Sequence, residues 1–429
     1  MLAGLWKGQL TLPDGAVEVT FRIEKTPAGT YYGTLIVPRQ KVSLVTIEQR
    51  GDTVRLTAED TTTYFQGRMA AEGKQLEGTW HQPGLQQAMV LAFSPVPVLG
   101  TRNALAPPYR EEEVTFSNPA LKPALRGTLT IPAGVGPFPA VVLLSDAGLQ
   151  DRNGTVGDFG PLGQLADYLA RFGVVVLRFD DRGLGEGAGT APAPLPDLVG
   201  DAQAGLGFLR GRPEVNQARL GLIGHGEGGN VALLAAAQPQ PPKFVVALAA
   251  YGLPGRELVT EEQTARLRAA GTAGPQLEAA LQRQRAMLDI IQQTANGSQA
   301  QAIVANILKQ SNPDIDNAVA QSRALEMTSA SYRYFLGFNP ADKLAGVACP
   351  VLLLNGAADT AINADDNLGA LSRNLKHNKS VTVRKLAGVN HQFQPEQTKW
   401  PLLGGKLRPI FSAEAQDAIQ QWLAVQPGK

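Results

Sequence analysis

One short stretch leaves this chain little freedom: Arg219-Leu-Gly-Leu-Ile-Gly224-His225-Gly226-Glu227-Gly228-Gly229-Asn230, running on into Val231–Ala237. The apolar run before Gly224 has the length and composition of a buried strand, and the small apolar residues after Gly229 suit a helix packed closely on it. Between them there is room only for a very sharp turn. Strand, sharp turn and helix form the setting of the G-x-S-x-G elbow, in which glycines let the central residue sit strained and exposed at a helix N-terminus. Here the central residue is Gly226, which tolerates that backbone but brings no hydroxyl and forms no acyl-enzyme. The same glycines formally fit the dinucleotide fingerprint, Gly224-x-Gly226-x-x-Gly229. That fingerprint expects an acid about 20 positions on, at the end of the next strand. Leu248-Ala249-Ala250-Tyr251-Gly252 stands there instead, Glu257 lies beyond the strand, and a strand–helix series already precedes the motif, so nicotinamide binding is disfavoured.

The sequence around the elbow predicts a doubly wound, mostly parallel sheet covered by helices, an α/β fold. Buried strands are expected at Phe138–Ser145, Val174–Phe179, Leu220–Ile223, Phe244–Ala250, Val351–Leu354 and Val381–Leu386, with amphipathic helices near Leu162–Phe172, Leu198–Arg210 and Ala413–Val425. From about 257 to 335 the alternation gives way to helical periodicity. This reads as a helical cap inserted above the C-terminal ends of the strands, with ordinary cover on the flank of the sheet as the alternative. Before the α/β region, residues 1–95 alternate in short segments such as Val17–Ile23 and Thr53–Thr57, which predicts a small all-β domain. Trp6, Tyr31, Tyr32, Phe65 and Trp80 are expected to fill its barrel or sandwich core, or to present a sugar- or peptide-binding face. A Pro-, Ala- and Asn-containing linker at 96–110 leads to the α/β domain at 111–429. The 429 residues suffice for two cores.

A net charge of +1, with no run of Lys and Arg, gives no electrostatic footprint for nucleic acid. No stretch reaches the ~18 to 20 apolar residues of a membrane span, and Met1-Leu2-Ala3-Gly4 leads directly into patterned sequence, so the chain reads as soluble without a signal peptide. Cytoplasmic and exported locations both stay open. Cys349 is the only cysteine, which excludes an intramolecular disulfide and a cysteine-based metal site.

The four histidines can be weighed singly. His391 follows the last expected strand in Leu386-Ala-Gly-Val-Asn390-His391, and Asp359 follows the strand Val351–Asn355 in Gly356-Ala-Ala-Asp359. Acid and then histidine, each just past a strand end, is the order that completes an elbow-type triad. A carboxylate there fixes the imidazole tautomer, and the histidine serves as general base and acid. His81 in the β-domain and His377 in a polar turn have no catalytic partner in view.

With these residues in place, Gln150-Asp151-Arg152, Phe179-Asp180-Asp181-Arg182-Gly183, Gly224-His225-x-Glu227-Gly228-Gly229 and Asn390-His391 resemble the two-domain bacterial carboxylesterases of the α/β-hydrolase superfamily, close to the serine aminopeptidase-like branch. Trp6-x-Gly8 and Gly78-x-Trp80 extend the likeness into the β-domain. The resemblance implies hydrolysis of short-chain carboxylic esters through a Ser-His-Asp triad. Asp359 and His391 carry over, and Gly226 stands at the nucleophile position. The N–H groups of Glu227 and of the loop around Gly148 are expected to form the oxyanion hole, with His225, Ala147 and Leu149 near the substrate. Asp180-Asp181-Arg182-Gly183 is expected to tie loops together beneath the site through carboxylate–guanidinium pairing. Similar enzymes read Gly-Ser-Gly-Pro-Gln-Asp-Arg where this chain reads Asp146-Ala147-Gly148-Leu149-Gln150-Asp151-Arg152. An ionised Asp146 would oppose a developing oxyanion unless its side chain points away or is protonated.

Three accounts of Gly226 stay open: a replacement made to trap a ligand, a natural loss that leaves a non-catalytic small-molecule-binding protein on the same scaffold, or water activated directly by His391. A small-molecule ester is the expected partner. No metal or organic cofactor is implied, and self-association stays open.

Overall fold

The computed structural model describes residues 2–12, 15–25, 31–37, 43–58, 62–70, 72–94, 109–118, 124–184, 192–312, 314–403 and 405–426. By internal contacts the chain divides into two units, Met1–Leu105 with Pro395–Ile410, and Ala106–Gln394 with Phe411–Lys429. Most of the linker expected at 96–110, residues 96–108, lies outside the described residues, and Tyr109 and Arg110 already belong to a strand.

In the first unit, β1 (Gly4–Leu12), β2 (Gly15–Lys25), β3 (Tyr31–Ile36), β4 (Ser43–Arg50), β5 (Thr53–Ala58), β6 (Tyr64–Met69), β7 (Gln75–Gln82) and β8 (Leu85–Ser94) form, among the described residues, a closed antiparallel barrel. Inward positions recur every second residue, as in β5, where Val54, Leu56 and Ala58 are buried. Trp6, Phe65 and Trp80 are fully buried in the core, and the Trp6 indole N–H donates to the Leu2 carbonyl at 2.7 Å. Tyr31 packs at the edge of that core, while the Tyr32 side chain lies outside the description. His81 lies on β7 and stacks on Tyr64, whose ring also carries Arg55 4.0 Å from its centre.

The second unit carries a sheet of β9 (Tyr109–Phe116), β10 (Leu125–Pro132), β11 (Phe138–Leu144), β12 (Val175–Phe179), β13 (Val215–His225), β14 (Val245–Leu248), β15 (Val351–Gly356) and β16 (Val381–Leu386). Their spatial order is β16-β15-β14-β13-β11-β12-β10-β9. β11 to β16 are parallel, whereas β9 and β10 extend the sheet in antiparallel sense. β9 shows no apolar run because it is an exposed edge rich in charge, Arg110 to Glu113, while the largely buried β10 breaks its run with Arg126, Gly127, Thr128 and Thr130.

Helices α1 (Pro161–Arg171), α2 (Leu195–Arg210), α3 (Glu227–Ala236), α9 (Ala364–Asn374) and α10 (Ala413–Ala424) cover the sheet, which separates two buried apolar layers. Between β14 and β15 come α4 (Gly255–Ala269), α5 (Gly274–Gln293), α6 (Gly297–Ser311), α7 (Asn317–Met327) and α8 (Ala330–Gly337), the all-helical insertion expected at 257–335. They hold a small core of their own around Leu288, Ile291, Val304 and Leu336. Because β11, β13, β15 and β16 run parallel, the loops that follow them emerge at one edge of the sheet. Asp146, Gly226, Asp359 and His391 all lie on those loops.

Candidate active site

The turn from β13 into α3 places Gly226 at φ +51° and ψ −118°, in the left-handed region that side chains rarely adopt. Its neighbour Gly228 is required by proximity, since a Cβ there would meet the Ser145 carbonyl oxygen at 2.3 Å. At Gly226 the crowding is of another kind. A Cβ would lie 1.8 Å from Oδ1 of Asp146 and 2.4 Å from its Cγ, so the space of a nucleophile side chain is already taken by a carboxylate from the β11 loop.

That carboxylate is held at both oxygens. Oδ1 accepts the backbone N–H of Ala147 at 2.7 Å and of Glu227 at 3.1 Å, and Oδ2 lies 3.0 Å from Nε2 of His391. Glu227 opens α3, so its N–H belongs to the unsatisfied, electropositive end of a helix. The loop is anchored on either side of Asp146. Ser145 donates its hydroxyl to Asp181 at 2.7 Å, and the Gln150 N–H donates to the other oxygen of Asp181 at 2.8 Å. Asp180 takes Arg152 through its backbone N–H and its guanidinium, and Arg182 pairs with buried Asp201 at 2.7 Å. Asp180, Asp181 and Arg182 thus tie the loops under the site.

On its other side, His391 Nδ1 lies 2.8 Å from Oδ2 of Asp359, while Oδ1 of Asp359 accepts the N–H groups of Ala361 and Ile362 at 2.9 and 2.8 Å. The imidazole therefore sits between two carboxylates. Burial would depress its pKa, but hydrogen bonds to Asp146 and Asp359 outweigh that and raise it to about 10. Burial pushes Asp146 the other way, yet nearby His225 and the hydrogen bond from His391 hold its carboxyl well below the usual range. The result is an imidazolium flanked by carboxylates. Glu227, buried and near both Asp146 and Asp181, is pushed up to about 7.

These groups face a cavity of about 390 Å³. Asp146, Ala147, Gly148, Gly226, Glu227 and His391 line its floor. Leu258, Val259, Tyr332 and Phe335 from α4 and α8, with Tyr251, Ala361 and Ile362, give it largely apolar walls, and Glu262, Glu326, Ser329 and Ser331 add polar edges. The buried Tyr251 hydroxyl has no hydrogen-bond partner among the described residues.

Several expectations need correction. Of the loop around Gly148, it is the N–H of Ala147 that meets Oδ1 of Asp146 beside the N–H of Glu227. Gly148 lines the cavity. His225 is not among the lining residues. It is buried, with Nε2 2.8 Å from the His391 carbonyl, where it braces the histidine loop from behind. Leu149 is likewise absent from the lining, whereas Ala147 is part of it. Asp146 points into the elbow, and its surroundings favour the ionised form. The signal for it was present in the sequence, as the loss of a side chain at 226 together with the gain of an acid at 146. Asp146, His225 and His391 also bring three potential ligand atoms within 4.8 Å of one another, although a cation there would displace the Asp146–His391 contact.

A parallel sheet with helices on both faces, an elbow between β13 and α3, and an acid–histidine pair on the loops after β15 and β16 define an α/β-hydrolase. The chain belongs to the serine aminopeptidase S33 family, whose family model matches residues 153–398, more than half of its length. Asp146 lies just outside the matched region. Esterase EstD of Thermotoga maritima is 31% identical over 121 residues, covering 28% of this chain and 27% of that protein, so the match spans only about a quarter of the relative. Among solved structures, a hypothetical protein of Pseudomonas aeruginosa aligns with a TM-score of 0.47 at 18% identity, over 75% of this chain and 95% of that one. An esterase of Pyrococcus furiosus aligns with a TM-score of 0.47 at 15% identity, over 78% and 97%. Among the described residues, no helix is long and apolar enough to cross a membrane.

Proposed function

We propose that this hydrolase cleaves small carboxylic esters, with His391 as the acid–base group and Asp359 as the carboxylate that orients it. The observation that carries this reading is the His391 ring, fixed at Nδ1 by a fully buried carboxylate and presenting Nε2 to the floor of an apolar cavity. That is the arrangement general acid–base chemistry requires. The cavity volume suits a short-chain substrate, and the aromatic and aliphatic walls suit an uncharged one. The family relationship and the partial match to an esterase point the same way.

The test is turnover of p-nitrophenyl butyrate and benzyl butyrate by the parent chain, His391→Ala and Asp359→Asn, with folding checked by circular dichroism. Hydrolysis of either ester that falls by two or more orders of magnitude in both variants supports the reading. Equal rates in all three proteins, or no turnover of any ester, would count against it.

A further inference from the structure

We infer that Asp146 is the nucleophile of this site, and that it attacks a saturated carbon carrying a leaving group rather than an acyl carbon. The inference rests on the reading of His391 as the acid–base group. It adds the attacking atom and a substrate class: epoxides, haloalkanes, and esters that break at the alkyl–oxygen bond.

Three observations converge. First, the carboxylate fills the space that a side chain at 226 would need, at the N-terminus of α3 and on the cavity floor. Second, its two oxygens are differentiated. Oδ1 holds both backbone N–H donors, while Oδ2 faces Nε2 of His391, leaving one oxygen anchored and the other beside the acid–base group. Third, the loop is stapled on both sides of Asp146 by Asp181, so the carboxylate is preorganised.

The occupancy of the N–H pair selects the electrophile. Attack on an acyl carbon creates a new oxyanion, and the two donors that would stabilise it are already committed to Oδ1. Attack on a saturated carbon creates none. In the first step Oδ2 bonds to that carbon and the carbon–leaving-group bond breaks. The leaving group departs with its electron pair; the alkoxide of an opened epoxide takes the proton from Nε2 of His391, whereas a halide or carboxylate leaves as the free anion and that proton passes to solvent once the Asp146 charge that held it is gone. Asp146 is now an uncharged alkyl ester and His391 a neutral base. In the second step His391 takes a proton from water as its oxygen adds to Cγ of Asp146. Charge then develops on Oδ1, where the Ala147 and Glu227 N–H groups already point. Collapse releases an alcohol whose oxygen was Oδ2. The alcohol leaves with one proton of the water, His391 keeps the other, and the carboxylate is restored with the water oxygen in it. The net change is epoxide plus water to diol, or alkyl halide or ester plus water to alcohol, the leaving-group anion and one proton released to solvent.

The experiment uses the full chain with styrene oxide and 1-bromobutane as probes. With 1-bromobutane, whose bromide needs no proton to leave, His391→Gln retains the nucleophile but lacks the base for the second step, so intact mass should show one adduct per chain, mapped by peptide fragmentation to Asp146. In a single turnover of the parent chain in ¹⁸O-water, the label should enter the Asp146 carboxylate and not the product alcohol, and Asp146→Asn should lose at least ~10³-fold in rate. Label in the alcohol on the first turnover, an adduct on another residue, or an Asp146→Asn variant as active as the parent overturns the inference. So does an inert parent chain whose Asp146→Gly, Gly226→Ser double variant hydrolyses aryl esters, because Asp146 is then a plug in a dormant serine-type site. Ester turnover that depends on His391 but not on Asp146 leaves the proposed function standing without this step. An Asp146 adduct in a chain that cleaves no ester leaves this step standing without the ester reading.

Discussion

The two loops that grip His391 are built alike and sit differently. In each, one carboxylate oxygen accepts two backbone N–H groups and the other meets a ring nitrogen of the same histidine. The Asp359 side chain is wholly buried, whereas that of Asp146 is 22% exposed and lines the cavity. Equal hydrogen bonding with unequal access assigns different work to two chemically identical groups. The Asp359 carboxylate is closed to the cavity, while that of Asp146 forms part of its floor.

The comparison breaks most visibly in rates. Asp359→Asn preserves the shape of the buried loop but presents the wrong hydrogen-bonding partner to Nδ1, and turnover should fall by ~10³ to 10⁴-fold with little change in KM. A loss confined to KM would show that Asp359 does not act through the histidine tautomer.

The next effect is one of packing. Gly226→Ser forces a side chain into the Asp146 carboxylate at a left-handed φ, and should cost roughly 1–3 kcal/mol in urea unfolding. Adding Asp146→Gly should recover part of that loss, with a coupling of ~0.5–3 kcal/mol between the two positions. Additive costs would mean that the loop yields and that the two residues do not share one space.

The effect with the least bearing on rate is a slope in stability. His391 has a folded-state pKa raised to about 10, so its contribution to stability is complete below its ordinary unfolded value and disappears as pH rises through the folded value. Stability should therefore decline from about pH 7 to 10, at no more than ~1.4 kcal/mol per pH unit for this one proton, and the decline should flatten in His391→Gln. Denaturant titrations across that range read it directly, and an equal slope in both proteins would place the titration elsewhere.

Much of this was legible in the sequence because parallel strands are simple to read. Apolar runs mark them, and their following loops must share an edge, so Gly226, Asp359 and His391 could be brought together before any coordinates. Asp146 could be named as out of place, but the direction of its side chain is a rotamer, set by two N–H donors and an imidazole that meet only in three dimensions. The charged edge strand β9 hid for a related reason, since its support comes from pairing with β10 rather than from its own composition. The assignment of 395–410 to the barrel unit is a long-range contact that no local pattern signals.

The mutual exclusion of side chains at 226 and 146 also constrains the order in which such a pair can arise. Aspartate at 146 opposite an intact serine forces two groups into one volume and disturbs a working elbow at once. Glycine at 226 first leaves an empty seat beside a helix N-terminus and an unpaired imidazole, a vacancy that an incoming carboxylate fills. A side chain at 226 and the Asp146 carboxylate in this position therefore exclude each other, so chains that keep the acid at 146 should keep glycine at 226.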